Sequence, residues 1–133
     1  MSLDVSNNTA LEWLYCTVNQ LTSLDVNGCT ALIHLFCTNN QLVILDVSSC
    51  TALINLYCQN NRLTSLDVSG CPMLTTLVCE NNQLTATALN NLFGTLPSRD
   101  YWNYYTERIY TENNPGTYSC DKSIAENKNW KVL

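Results

Sequence analysis

Apolar residues recur along the first two thirds of the chain with a period of 21 residues. Leu11, Leu32, Leu53 and Leu74 form one column, and Leu14, Leu35, Leu56 and Leu77 form a second. Cysteine follows at Cys16, Cys37, Cys58 and Cys79, asparagine at Asn19, Asn40, Asn61 and Asn82, and leucine again at Leu21, Leu42, Leu63 and Leu84. Leu-Asp-Val closes the unit at 24–26, 45–47 and 66–68, ahead of Cys29, Cys50 and Cys71. Within each unit Leu-x-Cys alternates apolar with variable positions, the period-2 pattern of a strand with one buried face. One such unit cannot bury its apolar face alone, whereas stacked units share a continuous core. Copies in register, at a strand spacing of about 4.8 Å, make a parallel sheet. The pattern therefore predicts a mostly β solenoid with 21-residue turns, a shallow concave sheet, and short convex strands at Leu-Asp-Val. The Asn column falls where the chain leaves the strand, and a side-chain amide there can satisfy backbone groups that a tight turn would bury bare.

The period stops after Leu84. Leu89, Leu92, Phe93 and Leu96 then lie at helical spacing, with Pro97 as the stop. An aromatic segment, Tyr101, Trp102, Tyr104 and Tyr105, leads into a resumed strand in which Ile109, Tyr110 and Asn114 take the columns of Leu56, Tyr57 and Asn61. A short helix and a last edge at Lys131-Val132-Leu133 end the chain, and Cys120 is expected to complete the second cysteine column. The organisation is thus repeats over 1–84, about four copies, and an α-helical carboxy-terminal cap over 85–133. "LDVSNNTAL" at 3–11 aligns with "LDVNGCTAL" at 24–32, so the chain opens inside a repeat without an amino-terminal cap, as a piece of a longer protein would.

The unit L-x-x-L-x-C-x-x-N-x-L is that of a leucine-rich repeat. The copies "LTSLDVSGCPMLTTLVCENNQ" and the terminal "NNPGTYSCDKSIAENKNW" resemble leucine-rich-repeat domains of bacterial cell-surface proteins, in the style of internalin-type repeats, over nearly the whole chain. The resemblance implies an exported protein, at the cell surface or secreted, that acts in adhesion or binding of other proteins. Residues 101–105 match no pattern of that family, and no export signal is visible.

Charge narrows the partners. Lys and Arg total 6 against 11 Asp and Glu. Residues 1–84 hold Asp4, Glu12, Asp25, Asp46, Asp67 and Glu80 against Arg62 alone. Nucleic acid and anionic membrane both need clustered bases, so neither is expected. No apolar run approaches the ~18 residues of a membrane span. Eight cysteines raise metal and disulfide chemistry. Their spacing follows the repeat and contains no C-x-x-C, so no metal site is expected. Stacked Cys pairs come close enough for a bridge, but their Cβ atoms point the same way, so reduced core thiols are favoured over partial disulfides. The column Asp4, Asp25, Asp46 and Asp67 reads as a solvated ladder beside Ser and Thr hydroxyls, with weak calcium binding as the alternative.

Catalysis finds no support: His34 is the sole histidine, no nucleophile, base and orienter assemble by spacing, and no cofactor is implied. The outward positions of the expected concave sheet vary instead. Trp13, His34, Asn55, Thr76 and Arg108 form one column, Tyr15, Phe36, Tyr57, Val78 and Tyr110 the central one, and Thr17, Thr38, Gln59, Glu80 and Glu112 the third. An exposed aromatic row is either a partner-binding surface or cross-strand packing that stabilises the sheet. Tyr101, Trp102, Tyr104 and Tyr105 either pack on the cap helix or rim that surface. The expected role is a non-enzymatic module that binds a protein. A carbohydrate-binding surface and an architectural spacer stand as alternatives, with the oligomeric state open.

Overall fold

The computed structural model describes residues 1–100 and 107–133. Three-residue strands form around the second Leu column, each with the Leu at its centre: β2 (Trp13–Tyr15), β4 (His34–Phe36), β5 (Asn55–Tyr57) and β6 (Thr76–Val78). Together with β7 (Glu107–Tyr110) and β8 (Trp130–Val132) they make a six-stranded sheet in chain order, and every pair is parallel. The register follows the repeat: Leu14, Leu35, Leu56, Leu77 and Ile109 stand side by side. The fold is thus one of parallel strands with few helices, solenoid-like in connectivity. The inward Leu columns from Leu32 onward have essentially no solvent exposure, and Cys29, Cys37, Cys50, Cys58, Cys71 and Cys79 are equally sealed.

The Asn column ties the turns together. Asn61 Nδ2 donates to the carbonyls of Cys37 (3.0 Å) and Cys58 (3.1 Å), one in the preceding turn and one in its own. Its Oδ1 accepts from Leu42 N at 3.0 Å. Asn40 and Asn82 repeat the arrangement. Asn114 carries it into the cap, with Thr111 where the cysteine stood. The side chain of Asn19, in the first turn, donates only to carbonyls of its own turn, and the residue is exposed. The residue before each column member, Asn39, Asn60, Asn81 or Asn113, has φ between 52° and 57°. That left-handed conformation suits asparagine best among residues with a Cβ. In the first turn the β-branched Val18 must adopt it, at φ 54°. The paired "NN" of the repeat therefore does two jobs, of which the sequence pattern revealed one.

The two cysteine columns are spaced by hydrogen bonds of their own. Cys58 Sγ donates forward to Val78 O at 3.4 Å, and Cys71 Sγ donates back to Val47 O at 3.4 Å. All eight thiols are free. Burial pushes Cys71 up to about 11 and Cys50 and Cys79 up to about 12, and raises Cys37 and Cys58 further, with neighbouring thiols adding to the effect for Cys37, Cys50 and Cys58. Cys120 departs from expectation. It is half-buried, its Sγ donates to Thr117 O in its own segment at 3.5 Å, and it does not extend the second column by the same contact. At that end Thr95 Oγ1 accepts from Val68 N at 3.2 Å, so a helix rather than a thiol meets the last turn.

The far side also differs from expectation. Leu-Asp-Val is in-out-in as predicted, but only β1 (Ser2–Asp4) and β3 (Ser23–Asp25) form strands there. Residues 43–46 and 64–67 are not paired, since the burial alternation arises from core packing and does not require a ladder. What shapes these segments is a turn: Asp4, Asp25, Asp46 and Asp67 each accept through Oδ1 from the backbone N–H two residues on, at 2.8–2.9 Å. For Asp4, Asp46 and Asp67 the serine of that turn, through its side chain and then its backbone N–H, holds the carboxyl below its ordinary value.

The cap closes the open core. Helix α1 (Ala86–Thr95) starts at Thr85, whose hydroxyl accepts from Ala88 N at 3.2 Å, and buries Leu89, Leu92 and Phe93. Gly116 packs so tightly on the helix start that a Cβ would lie 2.2 Å from Ala86 N. Helix α2 (Ser123–Glu126) leads to β8, where Trp130 is 2% exposed and its indole N–H donates to Pro97 O at 2.8 Å. Arg99 locks the junction. Its Nε lies 3.1 Å from Glu107 Oε1, and its two terminal nitrogens donate to Pro72 O (3.0 Å) and Leu74 O (2.6 Å) of the last repeat. Lys128 Nζ donates to the carbonyls of Gly94 and Leu96 at the end of α1, the latter at 2.9 Å.

Three outcomes follow from this architecture. Asn61→Ala leaves buried backbone groups unpaired and is expected to cost about 3 kcal/mol, whereas Asn19→Ala costs under about 1 kcal/mol; urea denaturation of both variants checks the contrast. In thiol titration without reductant, the native protein reacts rapidly through Cys120 alone and all eight thiols react once unfolded; a shortfall after unfolding would reveal bridges. The depressed Asp carboxyls contribute stability above the unfolded value of about 3.9, and this is lost as pH falls through their lower folded values. Asp46→Asn keeps the acceptor of the turn but removes the charge, so its acid-unfolding limb is shallower than that of the wild type.

Candidate functional site

The outward face of the six-stranded sheet holds the variable columns. Register places Tyr15 beside Phe36 and Phe36 beside Tyr57, and their rings stack. Tyr15 and Phe36 have centroids 4.4 Å apart at 4°, and Phe36 and Tyr57 have centroids 4.8 Å apart at 13°. In the flanking column the Trp13 and His34 rings lie 3.8 Å apart at 33°. Asn55 Nδ2 donates to His34 Nδ1 at 2.8 Å, which makes that ring nitrogen an acceptor. Trp13 and Tyr15 also stack along their own strand, at 6.1 Å. The result is a patch of five rings over two columns, stacked along Tyr15, Phe36 and Tyr57 and tilted at Trp13 and His34. Aromatic pairs of this kind add ~0.5–1.5 kcal/mol each beyond area burial.

Exposure is graded along the patch. Trp13 and Tyr15, on the edge strand, are 50% and 63% exposed, while His34, Phe36 and Tyr57 are half-buried. The ring of Phe36 has a stacked ring on each side, Tyr15 and Tyr57, whereas His34 has Trp13 against it and Asn55 at its edge. Val78 does not join this surface: it is 7% exposed. In register it lies between Tyr57 and Tyr110, whose larger side chains flank the short valine on either side. Asn55, Gln59, Glu80 and Tyr110 are half-buried and Arg108 is exposed. Gln59 Oε1 is the one buried side-chain oxygen or nitrogen among the described residues that lacks a hydrogen-bond partner. The sequence pattern gave no sign of it. Tyr101, Trp102, Tyr104 and Tyr105 lie outside the described residues.

Reactive chemistry is sparse on this surface. The side-chain hydrogen bond of His34 goes to an amide, not to an acid or a nucleophile. Among the described residues no group of three or more His, Cys, Asp and Glu side chains gathers as a metal site. Each column aspartate stands in a separate turn with one oxygen already accepting a backbone N–H. No helix of the described residues is long and apolar enough to cross a membrane.

Comparison with known proteins adds little beyond this geometry. No family model matches the chain, and no curated protein matches it. Among solved structures, one described as the functional domain of InlJ from Listeria monocytogenes, which includes a cysteine ladder, is similar at 27% identity with a TM-score of 0.38. The similarity covers 94% of this chain and 39% of that one, so the chain spans about two fifths of that structure's length.

Proposed function

We propose that this chain is a non-enzymatic recognition module of a bacterial surface or secreted protein, of leucine-rich-repeat type, and that it binds a protein partner through the outward face of its six-stranded sheet. The observation that carries the reading is the ring patch of Trp13, Tyr15, His34, Phe36 and Tyr57. Buried columns repeat almost unchanged from turn to turn, while this face changes residue by residue. Stacking alone would be served as well by one residue repeated. Aromatics are also the side chains that dominate interface energies. The flanking polar positions, Asn55, Gln59, Glu80 and Arg108, supply a rim. With six acids and one base in residues 1–84, a basic partner surface suits the repeat body.

The stacking also bears on the sugar alternative. A sugar ring packs on an aromatic face, and inside the ladder those faces are taken by neighbours at 4.4–4.8 Å. Trp13 and Tyr15, 50% and 63% exposed, are the most open of the five rings to such a contact. The spacer alternative offers no reason for the variable face.

The test is capture of surface or secreted proteins by the immobilised chain. Tyr15→Ala and Tyr57→Ala are each expected to weaken retention of the partner by more than tenfold, as interface hot spots do. The accompanying loss of stability is about 1 kcal/mol for the lost cross-strand pairs. Capture indifferent to both substitutions would leave sheet stabilisation as the only role of the rings. Glycan-array binding abolished by Trp13→Ala would move the function to carbohydrate.

A further inference from the structure

A second surface lies on the far side of the repeats, away from the rings. The positions that precede Leu-Asp-Val are Thr22-Ser23 and Thr64-Ser65 in two copies, but Val43-Ile44 in the copy between them. There Val43 is 47% exposed and Ile44 74% exposed. Two β-branched aliphatics stand in solvent where the repeat otherwise carries hydroxyls. They border a groove of about 360 Å³ whose walls include Thr22, Ser23, Asp25 and Asp46. The ladder lapses here: β3 pairs with β1 on one side, while residues 43–46 form no strand against its other side. One backbone edge of β3 therefore faces the groove unpaired, an edge of the kind that accepts an extended chain. Asp25 and Asp46 each use one carboxylate oxygen for a backbone turn. Among the described residues neither forms an ion pair.

We infer that this groove docks an extended segment of a partner protein in which an apolar side chain is flanked by Lys or Arg: the apolar side chain packs on Val43 and Ile44, and the bases reach Asp25 and Asp46. Charge complementarity selects this occupant. A second copy of the chain meeting the groove through the same face would bring Asp25 and Asp46 against themselves, like charges in an apolar contact. An acidic or neutral polar segment would leave the two carboxylates unpaired. The inference stands apart from the ring face, and either surface can fail without the other.

The probe is a fluorescein-labelled peptide of alternating lysine and leucine, with alternating glutamate–leucine and lysine–serine peptides as controls. Amide chemical-shift changes on titrating the lysine–leucine peptide are expected to cluster at residues 22–27 and 43–46. Val43→Thr/Ile44→Ser installs the residues that two other copies carry at these positions, so it keeps the fold, verified by circular dichroism. It is expected to weaken the peptide by at least about tenfold, as is Asp25→Asn/Asp46→Asn, which retains the turn acceptors. Binding of the lysine–leucine peptide should also fall with added salt. Shifts centred on Tyr15, Phe36 and Tyr57, equal affinity in the Val43→Thr/Ile44→Ser variant, or equal binding of the glutamate–leucine peptide would overturn the assignment. So would a concentration-dependent dimer in sedimentation that Val43→Thr/Ile44→Ser dissolves, because the groove would then be an interface between copies.

Discussion

The carbonyl of Cys37 receives two amide hydrogens, one from Asn40 in its own turn and one from Asn61 in the next. The carbonyls of Cys58 and Cys79 are shared in the same way by Asn61 with Asn82 and by Asn82 with Asn114. Each asparagine amide therefore holds a tight turn and joins two turns at once. The rest of the structure depends on this constraint. It sets adjacent turns at one height, which brings the Leu and Cys columns into contact inside and the aromatic rings into contact outside. Because these groups are buried, an unpaired carbonyl or N–H there would cost about 1–3 kcal/mol, so the column tolerates few substitutes.

Cysteine fits the same constraint from the other direction. The side chain is small enough to fill the narrow corner beside the asparagine, and its thiol donates weakly to a carbonyl of the adjoining turn. Seven of the eight are buried and none is bridged, so they serve as compact core residues whose burial suppresses the thiolate. The cap solves the complementary problem at the last turn. Thr111 and Asn114 extend the amide ladder into β7, Leu89, Leu92 and Phe93 cover the end of the core, and Arg99 joins Glu107 to carbonyls of the final repeat. Glu107 is 5% exposed, and a buried carboxylate is tolerable because a guanidinium sits against it.

The two outer surfaces follow from how the turns meet. On the sheet side, hydrogen-bonded strands hold side chains of the same column within stacking distance, so a Tyr, Phe, Tyr column becomes a ladder of rings. On the opposite side the ladder lapses after β3, and a groove lies beside Val43 and Ile44. One stack thus carries a packed aromatic strip on one side and an acidic, apolar-bordered cleft on the other.

The sequence by itself determined the period, the inward columns, the parallel register and the positions of the cap strand and helix. These depend on apolar spacing, which is local and repeats four times. It also placed the ring-bearing residues on one face, because Leu-x-Cys alternation leaves the intervening position no other direction. Tertiary structure alone decided how exposed each of them is. Val78 sank between Tyr57 and Tyr110 because of what flanks it across the sheet, while Tyr15, stacked on Phe36, keeps 63% of its surface exposed. Which Leu-Asp-Val segments pair, and that Cys120 bonds within its own segment while Thr95 meets Val68, likewise depended on contacts between segments distant in sequence. The left-handed asparagines lay in plain view as "NN", yet their conformation is a property of the turn they close and became visible only with the backbone. Periodicity reports which way a side chain points; what it meets there is set by neighbours the pattern does not name.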